Sequence, residues 1–117
     1  MEIRTELPSL NEIIASSKTH WSKYASPKKG YTAIVAAHAK QQLKPVKRQV
    51  DIHCHWICRN KRKDKDNIAS GGLKFILDGL VKGKILPNDN WKWVGNISHS
   101  FEADKQNVGV VVTIFSL

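Results

Sequence analysis

The sequence predicts an α/β (α+β) domain: a small mixed β-sheet flanked by helices, with elements in the order β-α-α-β-α-β-β. Three observations lead there. The segment from Val46 to Cys58 alternates apolar and polar residues with a period of two, as a half-buried strand does. Further on, Leu73, Ile76, Leu77 and Leu80 fall at i, i+3, i+4 and i+7, the stripe of a core-facing helix. Near the C-terminus, "VGVVVTIF" is apolar on both faces, which places that strand centrally in its sheet. A length of 117 residues fits a single domain, residues 1–117, around one core.

Each element follows from local pattern. Residues 1–6 are expected as a short edge strand. "LPSLNEII" contains a proline break and a Ser9 or Asn11 start for a brief helical turn. "SSKTHWSKYASPKKG" is polar, basic and punctuated by Pro27 and Gly30, so it reads as an exposed loop or a broken helix. From Tyr31 to Lys44 the spacing of Tyr31, Ile34, Val35 and His38 is helical, and Pro45 closes the segment. In the strand that follows, Val46, Val50, Ile52, Cys54, Trp56 and Cys58 share the buried face, interrupted by Arg48. Lys47, Gln49, Asp51, His53 and His55 share the wet face. After "RNKRKDKDN" the Leu73–Leu80 helix runs until Gly83 stops it, and "KILPNDN" is a turn. Residues 92–101 and 108–116 form two last strands, joined by "ADKQN" as a hairpin-like connection.

Composition narrows the function classes. Apolar residues at 41% and charged residues at 25% describe a globular chain, not a disordered one. No apolar run approaches the ~20 residues of a membrane span, and "MEIRTELPSLNE" has no secretory pattern, so a cytoplasmic protein is the simple expectation. The net charge of +9, from 19 Lys+Arg against 10 Asp+Glu, points to an anionic partner, most often nucleic acid. Cys54 and Cys58, in one strand, are expected as reduced, free thiols.

The chemistry concentrates between Lys61 and Asp89. Asp64 and Asp66 flank one residue in a stretch expected to be extended, where residues two apart point the same way. Carboxylates that close repel unless a cation lies between them, and a small number of hard oxygen ligands suits Mg²⁺, with Mn²⁺ as a substitute. Arg59, Lys61, Arg62, Lys63 and Lys65 crowd the same spot and would draw in a phosphate backbone. Acids that hold a metal, interleaved with bases that hold DNA, are what a metal-dependent nuclease needs. The same run also fits a solvated loop of mutually screened charges, with Asp66 as an ordinary helix cap. A zinc site in "HCHWIC" is disfavoured, because His53 and His55 point to one face and Cys54 and Cys58 to the other. His38, on the apolar stripe, reads as a core histidine, and Trp91 and Trp93 as core, interface or base-stacking residues.

In combination, "KDKDN", "KFILDGL" and "ILPNDN" resemble the RusA family of Holliday-junction resolvases, and "LPSLNE" looks like that family's opening element. The likeness runs from near residue 7 to near residue 94. It implies a RusA-like fold and a crossover junction endodeoxyribonuclease: a magnesium-dependent phosphodiester hydrolase that resolves four-way DNA junctions by paired symmetric cuts, in DNA recombination and repair. It also implies a homodimer, products with a 5′ phosphate, and a bacterial, phage or prophage source. Position by position, Asp64 and Asp66 match the two acids of the family's Asp-x-Asp-Asn motif. Asp89 matches the third acid, these three being the metal ligands, and Lys74 matches the active-site lysine once a four-residue insertion in "IASGGL" is allowed.

Two geometric questions follow. A helix starting at Asp66 puts Lys74 ~12 Å along its axis and ~80° around it, whereas a helix capped by Ser70 puts Lys74 in the first turn. A surface pair with Asp78 at i,i+4 is the plain alternative for Lys74. Asp89 returns to Asp64 only if the loop from Gly83 to Asn90 is nearly extended; otherwise it completes a site across a dimer. The rival function is a non-catalytic basic nucleic-acid-binding module, which the charge fits equally well.

Overall fold

The computed structural model describes residues 1–19 and 21–116, and the side chains of these apart from residues 16–29. The chain runs β1 (Glu2–Ile3), α1 (Leu10–Thr19), α2 (Trp21–Gln42), β2 (Val50–Cys58), α3 (Lys65–Lys82), β3 (Val94–Ala103) and β4 (Gly109–Ser116), the order the sequence predicts. Ser9 starts α1 through a capping box: the Glu12 amide donates to Ser9 Oγ at 3.4 Å, and the Ser9 amide donates to Glu12 Oε1 at 3.1 Å. Of the segment expected as a loop or broken helix, residues 16–19 belong to α1 and 21–30 to α2, so α2 begins at Trp21 rather than at Tyr31.

The four strands lie in the order β1-β4-β2-β3. β4, as its two apolar faces require, sits inside the sheet between β1 and β2 and is antiparallel to both. β3 is parallel to β2, with α3 as the crossover such a pair needs. β3 and β4 therefore flank β2 on opposite sides, and "ADKQN" is not a hairpin; it carries the chain past the end of β2. The passage is tied there by the Asp104 amide, which donates to the Cys58 carbonyl at 2.8 Å. The physical reason is that β2 is buried at every second position along its length and takes a ladder on each edge, while β3 is largely exposed and serves as an outer strand.

Helices cover one face of the sheet. Val35 and Ala39 of α2 and Phe75, Ile76 and Leu80 of α3 pack on Ile52, Cys54 and Trp56 of β2 and Val110 and Val112 of β4. The other face, turned from the helices, carries Asp51, His53 and His55 beside Thr113 and Phe115. The buried face of α3 is rotated from the expected stripe: Gly71, Gly72, Phe75, Ile76, Gly79 and Leu80 are buried, while Leu73 and Leu77 are half-buried. Close approach explains it. A Cβ at Gly72 would collide with the Trp56 ring, and one at Gly71 with the backbone of Pro8–Leu10, so the glycines are the packing surface. Among the described residues, no helix is long and apolar enough to cross a membrane.

Candidate nucleic-acid and metal site at the start of helix α3

β2 ends at Cys58, a loop crosses the rim of the sheet, and α3 begins at Lys65 with Asp64 as its N-cap. Asp64 has extended backbone (φ −70°, ψ 146°), and its carbonyl accepts from the Ile68 amide at 3.2 Å. Asp66, by contrast, already lies in the first helical turn, so the two acids do not share an extended stretch as expected. The helix starts two residues earlier than that arrangement requires, because Asp64 is itself a good N-cap residue. The Asp64 side chain nevertheless makes no capping hydrogen bond. Both residues are exposed, and among the described residues neither carboxylate is hydrogen-bonded or ion-paired. Their lone pairs face water at the positive end of a helix.

The surrounding cations divide into two groups. Arg59 Nη2 lies 3.1 Å from Glu6 Oε2, and Lys63 Nζ lies 3.2 Å from Glu6 Oε1 and 2.7 Å from Glu12 Oε1. The hydrogen bond from Lys63 holds Glu12 below the usual carboxylate range, and the same bond raises Lys63. Burial pushes Glu6 up, but the hydrogen bonds from Arg59 and Lys63 outweigh it and leave Glu6 lowered. Arg59 and Lys63 thus fasten the loop to the β1–α1 segment. Lys61, Arg62 and Lys65 are exposed and have no ion pair among the described residues. These three are the cations a phosphate can meet at little cost in broken contacts.

Beside Asp64 opens a hollow of about 600 Å³, with Asn60, Lys61 and Lys65 on its rim and Phe101 and Glu102 on the β3 side. Phe101 ends an aromatic row on the outer strand. Trp56 stacks on His99 at 6.1 Å and 24°, and His99 on Phe101 at 6.3 Å and 30°. The row is pinned where the Trp56 indole N–H donates to His99 Nδ1 at 2.9 Å. Burial, with His53 nearby, holds the His99 pKa below the usual histidine range, which suits an acceptor nitrogen. Lys65 Nζ sits 5.7 Å from the Phe101 ring centroid.

Lys74 and Asp89 lie elsewhere. Because α3 is continuous from Lys65, Ser70 is an interior residue, not a cap, and the glycines of "IASGGL" are spent on packing. Lys74 is ~12 Å along the axis from Asp66, and its Nζ is paired with Asp78 Oδ1 at 3.2 Å. Asp89 sits exposed in the turn beyond the far end of α3, an 18-residue helix ~27 Å long. The connecting loop does not run back extended. Ile85 and Leu86 are buried, with their amides donating to the Leu80 carbonyl at 2.9 and 3.2 Å, and the Val50 amide donates to the Trp93 carbonyl at 3.0 Å. Asp89 is therefore held at the end of the sheet where β2 begins, and Asp64 at the end where β2 finishes. Within one chain Asp64 and Asp66 lie two positions apart at the start of α3, and Asp89 stands beyond its other end. Among the described residues, no group of three or more His, Cys, Asp or Glu is placed to hold a metal ion.

One constellation on the open face escapes a reading of sequence alone. His53 Nδ1 meets Ser98 Oγ at 2.6 Å, His53 Nε2 and His55 Nδ1 meet Ser100 Oγ at 2.8 and 2.6 Å, and His55 Nε2 meets Glu102 Oε1 at 2.9 Å. With both rings neutral a single proton pattern satisfies the chain, since a carboxylate only accepts: Ser98 donates to His53, His53 to Ser100, Ser100 to His55, and His55 to Glu102. The alternation in "SHSFE" is the sequence signal, but it becomes legible only with the parallel register of β3 on β2. His38 is half-buried and meets Gln42 Nε2 through Nδ1 at 3.2 Å, so it is a helix-surface residue, not a core histidine. Cys54 and Cys58 are free, as expected, and burial pushes the Cys54 thiol up to about 12. Trp91 is 93% exposed beside Asp89, while Trp93 is half-buried.

No protein-family model matches the chain, and no curated protein matches it.

Proposed function

We propose that the protein is a magnesium-dependent endonuclease that cuts branched DNA, resolving four-way junctions as a homodimer in recombination and repair. The observation that carries this reading is the pair Asp64 and Asp66: two exposed carboxylates with no partner among the described residues, set among Lys61, Arg62 and Lys65. The resemblance of "KDKDN", "KFILDGL" and "ILPNDN" to the RusA family supports it, and with it a cytoplasmic protein of bacterial or phage origin.

By donor type, hard carboxylate oxygens, the acids suit the metal. Mg²⁺ takes one or two carboxylates and keeps waters and a substrate phosphate, which is what two outward-facing aspartates offer. Bound there, Mg²⁺ (or Mn²⁺) would polarise the scissile phosphate and lower the pKa of an attacking water. Lys61, Arg62 and Lys65 would hold the phosphate backbone, and Arg59 and Lys63, through Glu6 and Glu12, keep the loop in place. The third acid is Asp89 from a second copy, since α3 separates it from its own Asp64. Lys74 adds positive charge to the reacting phosphate only by leaving Asp78, and it is the most replaceable of the proposed groups.

Cutting of a synthetic four-way junction in Mg²⁺, by the parent and by Asp64→Asn, tests the reading. The parent is expected to cut symmetrically, and the variant to bind the junction without cutting it. Binding with no cutting by the parent in Mg²⁺ or Mn²⁺ would overturn it. That result would favour a basic nucleic-acid-binding module, the reading that the separation of Asp89 from Asp64 and Asp66 also fits.

A further inference from the structure

We infer that the hollow beside Asp64 receives one unpaired nucleotide of a DNA strand, its base stacked on Phe101 and its phosphate held by Lys61 and Lys65. This rests on the proposal that the partner is DNA, and adds which part of the DNA is recognised and by what. At about 600 Å³ the hollow lies within the range of small-molecule sites, ~300–1,000 Å³. Its lining divides by chemistry as a nucleotide does. Phe101 and Ile68 give an apolar wall, Asn60 an amide that both donates and accepts, and Lys61 and Lys65 two exposed ammonium groups.

The face of Phe101 is presented to the hollow, because Lys65 Nζ lies over it at 5.7 Å. An incoming base would take that place and Lys65 would move to the phosphate. The ring does not have to be ordered on binding, since its other neighbour is His99, locked by the Trp56 indole hydrogen bond. Asp64 and Glu102 also line the hollow, and beside their carboxylates an uncharged base is favoured over a phosphate. In duplex DNA both faces of each base are covered by its neighbours, so an aromatic platform of this kind selects a base that is unstacked, as at a branch point or in a single strand.

The test uses the full chain in EDTA, with a short single-stranded oligonucleotide carrying one 2-aminopurine and a hairpin duplex carrying the same base. Binding of the single strand is expected to quench the 2-aminopurine, and Phe101→Leu to abolish the quench and weaken that binding about tenfold, with duplex affinity unchanged. Phe101→Trp should keep both quench and affinity, and covers the case in which the leucine variant folds poorly. Quenching and affinity untouched by Phe101→Leu would overturn the inference. So would a loss in Phe101→Leu that is equal for single strand and duplex, or Phe101→Trp that folds but no longer quenches. Because no metal is present, the outcome is independent of cutting: a protein that cuts junctions without quenching sinks this inference alone. A protein that binds neither DNA sinks both.

Discussion

The two ends of α3 are built on opposite principles. At its start the chain is organised by charge: Asp64 and Asp66 face water, Lys61, Arg62 and Lys65 surround them, and Glu6 and Glu12 reach across from the β1–α1 segment to hold Arg59 and Lys63. At its finish the chain is organised by the core. The Gly83 amide closes the helix onto the Gly79 carbonyl at 2.8 Å, Ile85 and Leu86 turn inward, and Asp89 is left on an exposed asparagine-rich turn. A core-organised end has one geometry. A charge-organised end keeps side chains with no partner among the described residues, and that is where a ligand is to be sought. The difference also shows why three acids aligned by motif need not meet in space: a rigid helix ~27 Å long stands between two of them and the third.

The sharpest way to break the comparison is to neutralise the charged end. Asp64→Asn or Asp66→Asn should lower junction cutting at least ~100-fold, at or beyond the ~10–100-fold typical of losing a mere supporting partner of a metal ligand. Binding should hold or improve, because a negative charge near phosphate is removed. Cutting near the parent rate by either variant would remove the acids from the site.

Next in size is DNA affinity. Replacing Lys61, Arg62 and Lys65 together by Gln should flatten the salt dependence of binding by up to ~0.9 log unit per lost phosphate contact. The double change Arg59→Gln with Lys63→Gln should leave that slope nearly intact and lower stability instead, by at most ~1 kcal/mol per lost pair, since these pairs are partly exposed. Equal salt slopes for the two sets would show that the division of the cations is wrong.

The middle of α3 is tested by glycine. Gly72→Ala places a methyl against the Trp56 ring, and overpacking of ~1–3 kcal/mol should exceed the ~1 kcal/mol gained in helix propensity, so its melting temperature should fall. Gly30→Ala in α2, with nothing within 4 Å of the added atom, should raise it. A Gly72→Ala protein as stable as Gly30→Ala would mean that α3 does not approach β2 this closely.

The smallest effect is one of pH. His99 is depressed below its unfolded value of 6.5 by burial, so protonation favours the unfolded chain. Its contribution is fully present above pH 6.5 and is lost as pH falls through the lower folded value. His99→Gln should therefore reduce the slope of stability against pH below 6.5, as read by urea unfolding across pH 5 to 7.

Much of the fold was legible because periodicity and punctuation are local. The alternation read over Val46 to Cys58, of which Val50–Cys58 is the strand, the two-faced apolarity of β4 and the Ser9 start of α1 each declare an element without reference to anything distant. What is not local was missed. Period-two residues in β3 do not say whether the neighbour is β4 or β2, and the parallel pairing with β2 decides where Ser98 and Ser100 point. Gly72 and Gly79 have no hydropathy to place them on a face, so the stripe holds at Ile76 and Leu80 but not at Leu73 and Leu77, whose place in the buried face is taken by glycines and Phe75. In the candidate site, spacing and basic context single out Asp64 and Asp66, whereas the hollow's Phe101 has no signal beyond being aromatic in a strand.

The measurement that bears most directly on the site is complementation between two inactive chains. Asp66→Asn and Asp89→Asn proteins, each unable to cut alone, are mixed under conditions that exchange subunits and assayed on a four-way junction in Mg²⁺. If Asp64 and Asp66 of one copy work with Asp89 of another, each mixed dimer regains one intact site and the mixture cuts at roughly a quarter of the parent rate, by nicking single strands. Parent protein that cuts, with a mixture that stays silent despite exchange, would contradict a site shared between copies.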